Sequence, residues 1–153
     1  MKPITNIVIH CSDSTWGCAR EIEKWHKNKG WTAIGYSFVI MNGIILPNFN
    51  IPALDGSIEC GRFLDEDNFI EDNEIGAHAL GYNDNSVGIC LIGADKFSPA
   101  QFLSLRELLR DLTVRWNIPK ENIVGHYETE SGKEQGKTCP NFDMKIFRGS
   151  LWA

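Results

Sequence analysis

The sequence lacks any long apolar run. None of its 153 residues belongs to a stretch approaching the roughly 20 apolar residues that a membrane-spanning helix needs. The opening segment, MKPITNIVIHCSD, carries one lysine and then an apolar run that is too short and too interrupted by polar residues for a secretory signal peptide. These absences argue against a membrane protein. We expect synthesis in the cytoplasm without a signal peptide.

Positive charge is also scarce. The chain has 15 lysines and arginines against 20 aspartates and glutamates, so its formal net charge is -5. Proteins that bind nucleic acid usually carry a basic patch or stripe, and none is visible here. The charge pattern therefore predicts no nucleic-acid partner.

Repeats, low-complexity tracts and linkers are absent as well. The length suits one ordinary domain, and the 42% of hydrophobic residues suffice for one sizeable core. Charged residues make up 23%, which is typical of globular proteins and argues against disorder. We expect a single domain over residues 1–153, acting as a monomer.

Cysteines are few and odd in number. With five of them and no secretion signal, a disulfide framework is not expected, although one bridge stays open. Cys90 lies in the apolar segment VGICLIG and is predicted to be a small buried residue. Cys139 has polar neighbours, which sets it apart.

Apolar periodicity predicts alternating strands and helices. Residues 4–10, 85–93 and 121–126 have the composition of buried strands. Residues 19–30 and 98–117 have helical spacing. In the longer helix Ser98 and Gln101 form a capping box, and the helix presents one apolar stripe, made of Phe102, Leu105, Leu109, Leu112 and Trp116.

Three further segments complete the prediction. Residues 35–47 resemble two strands joined at an Asn-Gly turn, which is a strong hairpin signal. Residues 61–65 (GRFLD) suggest a short strand, and the tail DMKIFRGSLW suggests a closing helix. The alternation predicts an α/β fold, with a central mixed β-sheet flanked by helices.

Two histidines end predicted strands. His10 closes the first and His126 closes the last, so parallel pairing of these strands would bring both imidazoles to one edge of the sheet. A polar loop then leads back to Cys139. Two imidazoles and a thiolate make a three-ligand zinc site that leaves one position open. Strand-end histidines and Cys-Pro pairs are often structural, so this geometry alone leaves both interpretations open.

Two more side chains could complete a catalytic site. Tyr36 begins a predicted strand, and antiparallel pairing would place it beside the histidines; the alternative is an ordinary aromatic residue at a sheet edge. Lys137 lies two residues before Cys139. It could stabilise an oxyanion there, or simply be a solvated loop lysine.

Several motifs together resemble one family along essentially the whole chain. They are IVIHCSDS, W-H-x-x-x-G-W, G-Y-x-F, A-H-x-x-G-x-N, and GHYE followed by GKTCPNFD. The chain is similar to the zinc-dependent N-acetylmuramoyl-L-alanine amidases of phages, which are related to the animal peptidoglycan recognition proteins. Two departures are Ser37, where the family often has histidine, and the loop between His126 and Cys139, which looks longer than in the phage relatives.

The resemblance implies a function and residue roles. It implies Zn²⁺ held by His10, His126 and Cys139, with Tyr36 and Lys137 as catalytic residues. The implied substrate is bacterial peptidoglycan, cut between N-acetylmuramic acid and L-alanine. Cell-wall hydrolysis would follow release or export of the protein.

The loop before the central strand is a candidate for substrate contact. We expect His78 and Asn83 to bind substrate there, although Asn83 could simply form a turn. Glu128, two residues after the last strand's histidine, is a minor candidate for the general base. His26 on the first helix is expected to be a packing residue, and Trp31 stays open between core and groove.

Two rival functions remain at this point. One is a binding module of the same fold that holds peptidoglycan without cutting it; such relatives usually lose the cysteine ligand. The other is a thiol hydrolase that uses Cys139 with His126 and needs no metal. Sensitivity to a chelator separates the thiol enzyme from the zinc enzyme.

Overall fold

The computed structural model describes residues 1–152. Seven strands and four α-helices follow one another in these residues, with short 3₁₀ turns at Lys120–Asn122 and His126–Glu128. The strands are β1 (Lys2–Pro3), β2 (Asn6–Cys11), β3 (Phe38–Leu46), β4 (Phe49–Cys60), β5 (Phe69–Ile70), β6 (Ser86–Leu91) and β7 (Ile123–Gly125). The helices are α1 (Ala19–Asn28), α2 (Pro99–Trp116), α3 (Glu130–Glu134) and α4 (Met144–Ser150).

One five-stranded sheet organises the chain, in the order β4-β3-β6-β2-β7. β3, β6, β2 and β7 run parallel, and only the edge strand β4 is antiparallel to its neighbour. β1 and β5 form a separate antiparallel pair. This architecture confirms the predicted α/β fold with a mixed central sheet.

The two faces of the sheet pack against different helices. On one face, alternate residues of the central strands meet α2 and α4 in the main core, where Leu105, Leu109 and Leu112 are fully buried. On the other face, Val39, Cys90 and Ile92 meet Ile22 of α1 in a smaller core. Because this core is smaller, α1 covers only part of this face of the sheet.

The N-cap of α2 and the C-terminal end of α1 both agree with the sequence prediction. The Ser98 hydroxyl accepts a hydrogen bond from the Gln101 backbone N–H, and the Gln101 side chain accepts one from the Ser98 N–H. At the end of α1, Gly30 takes a left-handed φ of 90° directly after the last capped turn. Glycine adopts this conformation without steric cost, which ends the helix as predicted.

The predicted Asn-Gly hairpin turn was wrong. β3 continues through Asn42 and Gly43 as one strand, with shifts of register against β4 on either side. The turn lies at residues 47–48, where Asn48 takes a φ of 61°. The left-handed φ of Gly43 serves an irregularity within the ladder, stabilised by the Asn42 side chain, which accepts from the Ile44 N–H.

Residues 61–65 are not a strand either. Gly61 and Arg62 donate backbone hydrogen bonds to Ser37 and Tyr36, but the chain then turns away. Among residues 1–152, no helix has both the length and the apolarity to cross a bilayer.

Candidate active site and metal centre

His10 and His126 meet because their strands are parallel neighbours. In the register of β2 with β7, Ile9 lies opposite Gly125. His10 is the next residue within β2, and His126 is the first residue after β7, at the start of the 3₁₀ turn. The two imidazole rings are 4.6 Å apart between centroids. His10 is only 1% exposed and lies in the same row as Cys90 and Val39, on the face of the sheet that α1 partly covers. This confirms the parallel pairing on which the sequence argument depended.

The segment from His126 to Cys139 is more ordered than the predicted polar loop. It contains a 3₁₀ turn and the helix α3, which begins at an N-cap formed by Thr129. The Thr129 hydroxyl accepts from the Gly132 N–H and donates to the His126 carbonyl. The Tyr127 N–H then donates to the Cys139 carbonyl, at 3.1 Å. These local bonds fix the return of Cys139 to the sheet.

The three side chains form a cluster that could hold a metal ion. Cys139 Sγ is 3.3 Å from Nδ1 of His126 and 3.9 Å from Nδ1 of His10, and the three donor atoms lie within 4.8 Å of one another. A tetrahedral zinc ion with ordinary bond lengths would separate a nitrogen and a sulfur ligand by about 3.5 Å. The spacing and the donor set therefore both fit zinc.

The electrostatics favour the ionisation states that bind metals. The neighbouring side chains of Cys11, His10 and His126 lower the pKa of the Cys139 thiol well below its usual value, against the opposing effect of burial. The proximity of Cys139, together with burial, raises the pKa of the Cys11 thiol. Burial lowers the pKa of His10. A thiolate and a neutral imidazole are the forms that a divalent cation requires.

Tyr36 reaches the cluster by a route that the sequence argument did not foresee. The antiparallel pairing considered from the sequence is not the one found, because β3 runs parallel to β6. Tyr36 precedes β3 and lies beneath His10 on the face of the sheet, with 5.0 Å between the ring centroids. Burial raises the pKa of its hydroxyl well above 10, so Tyr36 is a neutral phenol at physiological pH.

Lys137 and Cys139 approach the site together. The Lys137 backbone N–H donates to the Gly132 carbonyl at 2.8 Å, just beyond α3. Its exposed side chain lines the same cleft as Tyr36 and His126. The positive charge of Lys137 also contributes, after burial and the neighbouring cluster residues, to the lowered pKa of His10.

His78 and Asn83 also border the cleft, but their polar atoms are largely engaged. His78 Nδ1 lies 3.0 Å from His10 Nε2, and the side chain of Ser86 approaches its other ring nitrogen. The Asn83 carbonyl oxygen accepts the backbone N–H groups of His78 and Ala79. Asn83 thus forms a turn, as the alternative interpretation held, and it also lies on the cleft wall.

The cleft itself has a volume of about 440 Å³. Its rim includes Trp31, which is 39% exposed, with the Lys29 ammonium 5.6 Å from the Trp31 ring. His26 lies between the rings of Trp31 and Tyr36 and accepts a hydrogen bond from the Gly35 N–H. The W-H-x-x-x-G-W motif contains both His26 and Trp31. Helical periodicity nevertheless assigned His26 to packing alone.

Glu128 faces away from this chemistry. Its Oε1 accepts hydrogen bonds from the Gly125 N–H and from Arg148 Nη1, and its Oε2 accepts one from Arg148 Nη2. Burial opposes ionisation, but Arg148 and the Gly125 N–H outweigh it and hold the pKa of Glu128 below its usual value. Both oxygens are committed to a structural tie between β7 and α4, which does not support Glu128 as a general base.

Comparisons with known proteins agree with this geometry. The family model described as Amidase_2, N-acetylmuramoyl-L-alanine amidase, matches residues 1–142. The endolysin of Escherichia phage T7 is 37% identical over 152 residues, covering 91% of this chain and 82% of the endolysin.

Solved structures show the same fold. The N-acetylmuramoyl-L-alanine amidase LysC from Clostridium intestinale superposes with a TM-score of 0.73 at 26% identity, covering 98% of this chain and 86% of LysC. Wild-type Drosophila PGRP-LB gives a TM-score of 0.58 at 29% identity, with 94% and 85% coverage. The chain therefore belongs to the Amidase_2 family, the N-acetylmuramoyl-L-alanine amidases, whose activity is hydrolysis of an amide bond of peptidoglycan.

Proposed function

We propose that this protein is a zinc-dependent endolysin-type amidase that cleaves the bond between N-acetylmuramic acid and the L-alanine of the peptide stem. The observation that carries the proposal is the convergence of His10, His126 and Cys139, whose candidate ligand atoms lie within 4.8 Å of one another. His126 also lines the cleft. Three protein ligands leave a coordination position open, which distinguishes catalytic zinc sites from structural ones.

The residues around the cluster have separate roles in this reaction. Zinc at such a site supplies a Lewis acid that lowers the pKa of water and polarises a carbonyl. The Lys137 ammonium stabilises the negative charge that develops on the oxygen of the substrate carbonyl. The Tyr36 hydroxyl remains protonated in its buried position, so it orients the attacking water or passes a proton toward the leaving nitrogen.

The cleft wall supplies the substrate contacts. The Asn83 carbonyl oxygen is already used by two backbone N–H groups, so its amide nitrogen is the part that meets the glycan or the stem peptide. The ring edge of His78 borders the same space. The exposed face of Trp31 offers an apolar surface to the substrate at the rim. We place the reaction at the bacterial cell wall, reached after release or export, and propose a monomer.

Digestion of purified peptidoglycan, followed by mass analysis of the products, tests the reaction. We expect a free lactyl group on muramic acid and a released peptide that begins with L-alanine. Cleaved sugar linkages, or intact peptidoglycan despite zinc binding, would overturn the assignment. Intact peptidoglycan with bound zinc would instead indicate a binding module.

Chelation tests the metal. Activity should disappear in a zinc chelator and return on addition of zinc, and Cys139→Ser should lose both zinc and activity. Activity that survives the chelator would favour the thiol enzyme, because Cys139 and His126 are also close enough for a thiolate-imidazole pair. Tyr36→Phe tests the hydroxyl alone, and it should lower kcat without releasing zinc.

A further inference from the structure

His78 is joined to the metal cluster by a buried chain of polar groups. His10 Nε2 lies 3.0 Å from His78 Nδ1, and His78 Nε2 lies 3.3 Å from Ser86 Oγ. The Ser86 hydroxyl donates to the Tyr82 carbonyl at 2.6 Å. The exposures of His10, His78 and Ser86 are 1%, 8% and 3%, so water competes little with these bonds.

The Tyr82 carbonyl at the end of this series of polar groups fixes the direction of every hydrogen bond in it. A carbonyl oxygen only accepts, so the Ser86 proton points at Tyr82 and the Ser86 oxygen is left to accept from His78 Nε2–H. His78 in its neutral form then carries a lone pair on Nδ1, which accepts the Nε2 proton of His10. The lone pair of His10 therefore lies on Nδ1, the atom that faces Cys139. The chain thus selects the tautomer of His10 that binds a metal through Nδ1.

The backbone is shaped to hold the His78 ring in this place. A Cβ at Gly88 would lie 2.7 Å from His78 Cγ, and one at Gly76 would lie 2.9 Å from His78 Cδ2. Any side chain at either position would displace the ring. The two hydrogen bonds to the Asn83 carbonyl oxygen fix the backbone on both sides of His78 Cα.

We propose that His78 is a positioning residue that orients His10 and sets its tautomer, through a chain anchored by Ser86 on the Tyr82 carbonyl, and that it thereby strengthens zinc binding. This role rests on the proposed zinc enzyme and adds to the substrate contact suggested above. Removal of an outer partner of a metal-binding histidine typically weakens metal affinity roughly 10- to 100-fold.

The test compares zinc dissociation constants, measured by competition with a chromophoric chelator, for variants of the full chain. Leucine in His78→Leu removes the acceptor, and we expect the roughly 10- to 100-fold loss of affinity. Asparagine in His78→Asn places a carbonyl oxygen near the position of Nδ1 and should restore most of that affinity. Ser86→Ala keeps the ring but removes its anchor, so a smaller loss is expected.

A control variant separates this role from general effects on the cleft. His26 is a second buried cleft histidine, but it accepts from the Gly35 N–H and makes no hydrogen bond to the cluster. His26→Asn should therefore leave zinc affinity unchanged. Circular dichroism and urea unfolding of the zinc-free proteins establish that each variant is folded. If His78→Leu is unfolded, the comparison of Ser86→Ala with wild type decides.

The outcomes distinguish this inference from the proposed function. Wild-type affinity in His78→Leu would overturn the positioning role while leaving the zinc enzyme intact. Equal weakening by leucine and asparagine would show that ring packing, rather than an acceptor at Nδ1, matters, and would also overturn it. Failure of the wild-type protein to bind zinc would refute the metal in the proposed function itself.

Discussion

Replacing Glu128 with glutamine separates a structural role from a catalytic one. The carboxylate accepts two hydrogen bonds from Arg148, at 2.6 and 2.8 Å, and one from the Gly125 N–H, at 2.8 Å. Glutamine has one acceptor oxygen, so its amide nitrogen would confront a donor on Arg148 or Gly125. The variant therefore loses the ion pair and retains at most part of the hydrogen bonding.

The size of the loss follows from the burial of the pair. The Arg148 and Glu128 side chains are 20% and 23% exposed, which lies between a surface ion pair and a fully buried one. Hydrogen bonds to charged groups contribute roughly 1.5–3 kcal/mol, and exposed ion pairs contribute about 0–1 kcal/mol. We expect Glu128→Gln to lose about 2 kcal/mol of unfolding free energy at pH 7, which corresponds to roughly 4–8 °C in Tm.

The loss should depend on pH in a defined direction. The pKa of Glu128 is lower in the folded protein than its ordinary value of 4.5, because Arg148 and Gly125 outweigh burial. The stabilisation is therefore complete above that ordinary value and is lost as pH falls through the lower folded pKa. Glutamine does not titrate, so the difference between wild type and variant should shrink below about pH 4.

Urea unfolding of the zinc-free proteins at pH 7 and at acid pH measures these differences, and peptidoglycan hydrolysis at pH 7 measures kcat. Glu121→Gln is the matched control, since Glu121 is exposed in the turn before β7, and it should change stability by less than about 0.5 kcal/mol. Unchanged stability in Glu128→Gln with a loss of kcat of about 100-fold or more would refute the reasoning and identify a general base.

Three further predictions address the rest of the site and its support. Lys137→Met should lower kcat roughly 100-fold without changing the zinc dissociation constant, because its ammonium acts on the substrate oxygen; weaker zinc binding would contradict this role. Gly132→Ala should lose about 2 kcal/mol in urea unfolding, because a Cβ there collides with the His126 carbonyl oxygen, whereas Gly149→Ala meets nothing within 4 Å and should be neutral or stabilising. Gln101→Leu should lose about 3 kcal/mol, because the buried side chain donates to two backbone carbonyls of the sheet region and caps α2; activity per folded molecule should not change.

Local features of the chain were predictable because they depend on neighbouring residues. The capping box at Ser98 and Gln101 and the left-handed Gly30 each use contacts within a few positions, and the structure confirms both. The central position of the strand around Cys90 followed from its continuous apolar composition, since only a strand covered on both faces buries such a run. The predicted Asn-Gly hairpin turn was wrong for the opposite reason. An Asn-Gly pair also suits a bulge within a strand, and only the long-range pairing with β4 decides between a turn and a bulge.

The features of the candidate site also fall into those that the sequence predicted and those that only the tertiary structure decided. The types of the candidate ligands come from the sequence alone, as do the places of His10 and His126 near strand ends and of Cys139 in the polar segment that follows. Tertiary structure decided how they are supported, because hydrogen bonds and strand pairing between distant residues leave no local pattern. It set the parallel direction of β3 that brings Tyr36 beneath His10, placed His78 behind His10 across 68 positions, and turned Glu128 toward Arg148.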